Sequence, residues 1–285
     1  MSAGDGDGWV FLPDGTRRWG RYGASGLLLC GRDVAGIGHI LLQHRSWWSH
    51  HGNTWGLPGG ALDSGESPVQ GALREFREEV AGELGEITVT GIHRQEHTVW
   101  RYDTVLAQAA EKRAFSPGSA ESADIRWVRA DRVESLPLLP AFRRIWPEAR
   151  AALERHPVLV VDAHTASARL GGARELRASL AALARHGVPG RAVPQHLPQA
   201  PLHRWFPRVL LAVDGAAPTA PPEAGVEVVT GYGTSSAVEN ALNSGGSPAL
   251  VVTRDEAAVG GEQNGVRVLP PEWLRELSVS DSQGT

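Results

Sequence analysis

Apolar and polar positions alternate along this chain with two different rhythms. Over the first half, short apolar runs sit between polar, Gly-punctuated stretches. Gly26–Cys30 and His39–His44 predict two strands joined by a turn at Gly36 and Gly38. The run 46–60 reads as a loop rich in Trp and Gly. A helix is expected over Ser67–Val80, with Ser67 as its N-cap and Pro68 at its first position. Strands follow at Ile87–His93, Thr98–Ala107 and Ile125–Arg129, with a loop over Ser116–Ser122. Residues 140–155 read as a closing helix in spite of Pro147, and residues 1–20, with Trp9 and Trp19, as a segment wrapped onto the domain surface.

The rhythm changes at His156-Pro157. Val158–Val161, Val209–Val213, Val226–Val229, Leu250–Val252 and Val266–Leu269 are almost wholly apolar. They alternate with helical stretches at 172–186, 235–243 and 272–277, and an irregular connection with five prolines fills 187–208. Continuous apolar strands between helices imply a parallel sheet covered on both faces. The chain thus reads as α/β throughout. A first domain spans 1–155, and a doubly wound, mainly parallel α/β domain spans 156–285.

Composition narrows the function classes. With 285 residues, 41% apolar and 21% charged, the chain is ordinary globular protein, long enough for two domains. A net charge of −4 provides no global basic field, so no nucleic-acid partner is indicated. Cys30 is the single cysteine and lies in an apolar run, which reads as a buried core thiol. No apolar run reaches the ~18 residues of a membrane span, and the acidic, Gly-rich N-terminus is unlike a signal peptide. A cytoplasmic protein without a membrane partner is expected.

The chemistry concentrates in Gly60-Ala-Leu-Asp-Ser-Gly-Glu66 and, seven residues later, Arg74-Glu75-Phe76-Arg77-Glu78-Glu79. On a helix Glu75, Glu78 and Glu79 stand at i, i+3 and i+4 and share a face. Like charges at that spacing repel unless a cation sits among them, and hard divalent ions favour carboxylate oxygens. The Gly-rich loop ahead of the helix lets backbone approach a ligand closely. Read without the loop, the same glutamates would be a solvated helix face paired with Arg74 and Arg77.

Together the two segments, preceded by Trp55-Gly56-Leu57-Pro58-Gly59-Gly60, resemble the signature of the Nudix hydrolase superfamily, in its MutT-like branch. The resemblance covers about residues 20–150; Ala81 stands where the signature has glycine, at the expected helix end. It implies an α/β/α sandwich with a mixed sheet and hydrolysis of a pyrophosphate linked to a nucleoside or other group, with Mg2+ or Mn2+. Glu75, Glu78, Glu79 and the Gly60 carbonyl match the metal ligands. Arg74 matches the arginine that steadies the glutamates, and Glu66 a structural acid of the loop. A later carboxylate often completes such a site: Glu121 is the candidate for further ligand or base, with Asp124 behind it. The choice of base between a helix glutamate and Glu121 stays open.

For the substrate, a nucleotide or nucleoside diphosphate-linked small molecule, Trp47, Trp48, Trp100 and Tyr102 are candidates for stacking on a base, with core or lid packing as the alternative. Trp100 and Tyr102 alternate on one strand and would face the same side. Arg45, with His44, His50 and His51, is placed to meet phosphates, or else to line a solvated loop. A nucleotide-sensing protein without turnover is the competing function, and a homodimer is an open expectation. The second half resembles PIN/NYN-type domains, whose acids at strand ends hold Mg2+ and cut RNA. Asp162, Asp214 and Asp255 stand at suitable strand ends, but Ser235-Ser236 and Thr165 replace polar positions of that pattern. A degenerate domain is therefore expected, with a helix cap as the simple role for either serine. RNA processing by both domains is the remaining alternative.

Overall fold

The computed structural model describes residues 4–193, 202–215, 223–231, 233–243, 249–255, 259 and 266–280. Part of the irregular connection expected over 187–208 lies outside these residues. The chain divides into two compact units, Met1–Leu153 with Ala200–His203, and Glu154–Gln199 with Arg204–Thr285. Among the described residues no helix is long and apolar enough to cross a membrane.

The first unit opens with a hairpin of β1 (Trp9–Phe11) and β2 (Arg17–Trp19). Then come β3 (Ala24–Arg32), β4 (Gly38–Arg45), β5 (Trp55–Gly56), β6 (Gly59–Ala61), α1 (Pro68–Glu79), β7 (Val80–Ala81), β8 (Ile87–His97), β9 (Trp100–Ala109), β10 (Ser116–Pro117), β11 (Ser122–Arg129) and α2 (Pro140–Leu153). Five long strands run in the order β11-β4-β3-β9-β8. β3 pairs β9 in parallel and the other neighbours are antiparallel, which makes the sheet mixed. Leu27, Leu28, Ile40, Leu42, Val105 and Leu106 are fully buried, with Phe76 of α1 and Trp146 of α2 among the largest enclosed side chains. Cys30 is buried there too, and burial pushes its thiol up.

Helix α1 begins where the sequence places it, at a capping box: Gln70 N–H donates to Ser67 Oγ and Ser67 N–H to Gln70 Oε1. It ends at Glu79 because Val80 and Ala81 turn extended and pair with Pro117 and Ser116. The one conformation there that favours glycine, φ +128°, falls on Gly82. Ala81 therefore sits in a strand, where a methyl group costs no backbone strain.

The second unit holds β12 (Val158–Asp162), α3 (Ala163–Leu170), α4 (Ala173–His186), β13 (Val188–Pro189), β14 (Arg204–Trp205), β15 (Arg208–Asp214), β16 (Val226–Gly231), α5 (Gly233–Asn243), β17 (Ala249–Val252), β18 (Val266–Leu269) and α6 (Glu272–Ser280). Its five-stranded sheet is parallel, in the order β16-β15-β12-β17-β18. Val160, Leu210 and Val251 pack against Ala237 and Ala241 of α5, as continuous apolar strands require. α3 has no counterpart in the apolar pattern. It is nucleated by Asp162, whose Oδ1 accepts from the N–H groups of His164 (2.9 Å) and Thr165 (3.3 Å). The cap role expected of Ser235 or Ser236 is not realised: α5 starts earlier, at Gly233, and both serines lie inside its first turn.

Candidate active site

The loop between β6 and α1 is shaped by its hydrogen bonds. β6 lies antiparallel to β3, with Gly60 opposite Ser25 and Gly59 opposite Gly26. Arg74, midway along α1, holds the loop. Its Nε and Nη2 donate to the Glu66 carboxylate at 2.9 and 3.0 Å, and Nη2 also reaches the Ala61 carbonyl at 2.7 Å. Glu66 Oε2 in turn accepts the Asp63 N–H at 2.9 Å. The Arg74 bonds hold the Glu66 carboxyl below its ordinary range. Arg74 Nη1 extends to Glu75 Oε1 at 2.9 Å and Glu78 Oε1 at 3.5 Å. One guanidinium thus joins the loop acid to two of the three helix glutamates.

The three glutamates run from core to solvent. Glu79 is 8% exposed, the Glu75 side chain 15% and that of Glu78 42%. Burial pushes the Glu79 carboxyl up to about 7, with the Glu75 charge adding to the rise. The Gly59 N–H (2.8 Å to Oε2) and the Gln43 side chain oppose it. Burial also raises Glu75, against the pull of Arg74. A carboxylate poised near neutrality in a buried position is the arrangement required of a general base.

Among the described residues no three His, Cys, Asp or Glu side chains converge on one point as a ready-made metal cluster. Arg74 draws Glu75 and Glu78 to itself, and Glu79 is turned toward Gly59. The donors nonetheless suit a hard divalent cation. They are all oxygens, and the backbone at Gly60 lies so close to Glu75 that a Cβ there would come within 2.6 Å of its carboxyl atoms. The Gly60 backbone and the Glu75 carboxyl thus lie close together, an approach that glycine permits.

The structure brings some of the other expected residues to this centre and leaves others apart. Glu121 is exposed in the turn before β11; its carbonyl accepts the Ser46 N–H at 2.8 Å, and it forms no metal-holding group with the helix carboxylates. Asp124 is paired with Arg126. Arg45 ends β4 with its Nε on the His50 carbonyl (2.9 Å), and its charge reaches both Glu79 and Tyr102. Trp47 and Trp48 project from the loop after β4, 77% and 55% exposed. His44 is stacked on Trp55. Burial holds His50 below its usual range, with the charges of His51, Arg45 and Arg17 acting the same way.

Trp100 is tied down, its indole N–H donating to the Gly20 carbonyl at 3.0 Å. Tyr102 has its ring 6.3 Å from that of Trp100 and its hydroxyl packed against Gly26, where a Cβ would come within 2.2 Å of it. Burial, and then the charge of Glu79, raise the Tyr102 phenol above its usual value. Tyr102 is thus a wall of the Glu79 site.

Gln43 is a residue the motif does not announce. It is fully buried on β4, donates from Nε2 to Ser122 Oγ at 2.7 Å, and its side chain acts to lower the Glu79 carboxyl. The available signal was an amide inside an otherwise apolar strand, since a buried polar side chain must have a partner.

In the second unit the three strand-end acids, among the described residues, form no metal-holding group, although Thr253 links Asp162 to the Asp255 backbone. Asp214 and Asp255 are exposed. Asp162 is engaged on all sides: besides the two N–H groups of α3, its Oδ2 accepts from the hydroxyls of Thr165 and Thr253, each at 2.9 Å. It braces the end of β12 to that of β17. Asp162→Ala is expected to lower stability by about 1–3 kcal/mol, the cost of an N-cap and buried hydroxyls left unpaired. Chemical denaturation would show this.

Residues 21–149 match the family model described as the NUDIX domain. A Mycobacterium tuberculosis H37Rv protein provisionally named 8-oxo-dGTP diphosphatase 3 is 46% identical over 165 residues, 56% of this chain and 76% of that protein. A Bifidobacterium longum nucleoside triphosphate pyrophosphatase/Nudix hydrolase fusion protein is 44% identical over 153 residues, 52% of this chain and 32% of that one. Among solved structures, the Nudix hydrolase RenU of M. smegmatis is 43% identical, covering 51% of this chain and 94% of that one with a TM-score of 0.48. The NUDIX match and the M. tuberculosis relative, 76% of which this chain covers, agree with the Gly60–Glu79 box, and the chain belongs to the Nudix family, as a Nudix pyrophosphohydrolase.

Proposed function

We propose that the enzyme hydrolyses a pyrophosphate bond of a nucleoside triphosphate, with Mg2+ or Mn2+, and that 8-oxo-dGTP is the first substrate to try because the M. tuberculosis relative's name carries it. The observation that supports this reading is the graded trio on α1, in which Glu79 is buried with its carboxyl near 7 beside a Gly-rich loop. Glu75, Glu78 and the Gly60 carbonyl would hold the cation. When bound, a divalent ion neutralises phosphate charge and acidifies a coordinated water. Glu79, held by the Gly59 N–H, would be the side chain placed to take a proton from an attacking water. Arg74 keeps Glu75 and Glu78 from swinging away. Arg45 and the exposed Trp48 would meet phosphates and base, and Trp100 and Tyr102 close the wall behind them. In this reading Glu121 is a solvent-side residue, and residues 156–285 form a supporting domain whose Asp162 is occupied in bracing.

The test is a substrate screen with product analysis. Nucleoside triphosphates, oxidised purine nucleotides and nucleoside diphosphate sugars are incubated with Mg2+ or Mn2+, and 31P NMR scores pyrophosphate, phosphate and monophosphate. Metal-dependent release of pyrophosphate from a triphosphate supports the reading. Turnover confined to diphosphate-linked compounds, or unaffected by a chelator, would refute it.

A further inference from the structure

The N-terminal segment is a built part of the first unit. Its two ends grip the loop between β6 and α1. Asp5 Oδ1 accepts the Ser64 N–H at 2.8 Å, and its Oδ2 accepts the Ser64 hydroxyl. In the opposite direction the Gly6 N–H donates to Asp63 Oδ1 at 3.0 Å. The segment then closes on itself, Arg21 N–H to the Gly6 carbonyl and Gly20 N–H to the Gly8 carbonyl, each at 2.8 Å, with the hairpin of β1 and β2 between. Leu12 is buried, and Gly20 receives the Trp100 indole N–H.

The closeness of this grip accounts for the glycines in it. A Cβ on Gly6 would come within 1.9 Å of the Leu62 carbonyl oxygen, and one on Gly4 within 2.2 Å of Asp63 Oδ1. Asp63 passes the contact inward. Its second oxygen lies 3.8 Å from Arg74 Nε, and its N–H is held by Glu66, the acid on which Arg74 rests. An unbroken line of contacts therefore runs Asp5–Ser64, Gly6–Asp63, Arg74, Glu75. The strap's Asp7 is close enough for its charge to act on Glu75.

We propose that the N-terminal strap, residues 4–23, is a working part of the nucleotide site, and that Asp5 is a positioning residue that sets the loop after Gly60, on which Arg74 is anchored. The proposal rests on the reading of Glu75, Glu78 and Gly60 as the cation's holders. Loss of the latch releases Asp63 and Ser64. Arg74, which leans on Asp63 and Glu66, then loses its fixed position, and with it the brace on the Glu75 carboxylate. Asp5 itself is exposed, so its removal disturbs geometry far more than it disturbs the core.

The experiment uses the full-length chain as wild type, Asp5→Ala, Asp5→Asn and Glu78→Gln. Mn2+ binding by calorimetry, kcat and KM for a nucleoside triphosphate, and melting temperature are measured for each. Asp5→Ala is expected to weaken Mn2+ binding by about tenfold, as loss of a supporting contact does. It should lower kcat in parallel, with KM at saturating metal within about twofold and the melting temperature almost unchanged. Asp5→Asn keeps an oxygen acceptor for Ser64 and should recover most of both. Asp5→Ala with wild-type Mn2+ binding, while Glu78→Gln loses it, overturns the strap proposal alone. So does equal impairment of Asp5→Ala and Asp5→Asn with a lowered melting temperature, which marks a merely structural role. Unchanged Mn2+ binding in Glu78→Gln overturns the metal reading, and this proposal with it.

Discussion

Glu79→Gln is expected to lower kcat roughly a thousandfold, the scale of a lost general base, while leaving a folded protein that is more stable than wild type at alkaline pH without metal. Both effects come from the same burial. The wild-type carboxyl, near 7 in the folded chain against 4.5 for the free group, binds its proton more tightly when folded. Stability therefore falls as pH rises from about 4.5 to about 7 and is level above that. The total is on the order of 3 kcal/mol. Glutamine is neutral throughout, can accept the Gly59 N–H at its own oxygen, and removes this slope. Denaturation of metal-free wild type and variant at pH 4 and pH 8 should give similar stabilities at the lower pH and a variant advantage at the higher one. A variant that loses activity and also unfolds more easily at pH 8 would show Glu79 to be a structural anion instead.

Gly60→Ala makes the converse separation. The added methyl group would meet the carboxyl end of Glu75 and not a fixed backbone atom. A flexible side chain can yield, so the fold survives with little loss. What yields, however, is the carboxylate whose placement the chemistry needs. Mn2+ affinity and kcat should each fall roughly ten- to hundredfold, in the range seen when a ligand's support is disturbed, with a melting temperature close to wild type. Calorimetry with Mn2+ beside a thermal melt checks it. Wild-type Mn2+ affinity in Gly60→Ala would mean that the Gly60–Glu75 approach has no part in holding the cation.

Much of this was legible before any coordinates. The helix carrying Glu75, Glu78 and Glu79 announces itself through Ser67-Pro68 and the i, i+3, i+4 spacing, because capping and periodicity are local properties. The continuous apolar strands of the second unit imply a parallel sheet for a similar reason: burial on both faces leaves no alternation. What the chain hid depends on contacts distant in sequence. Gln43 reaches Glu79 across 36 positions, and the Asp5–Ser64 latch spans 59. Neither has a spacing rule. Glu121, six residues before Trp127, is the candidate fourth carboxylate in the sequence, and its place in an exposed turn is likewise something no spacing announces. Asp162 ends a strand, a place where an acid can meet a ligand. Its four donors come from a helix that the apolar pattern did not reveal and from Thr253, 91 residues away.

The central claim, that buried Glu79 and its neighbours on α1 carry metal-dependent hydrolysis of a nucleotide pyrophosphate, is tested most directly by one comparison. Wild type and Glu79→Gln, both verified as folded by circular dichroism, are incubated at pH 8 with 8-oxo-dGTP and Mg2+ and followed by 31P NMR. The account predicts steady release of pyrophosphate by the wild type and almost none by the variant. Equal release by the two proteins would contradict it.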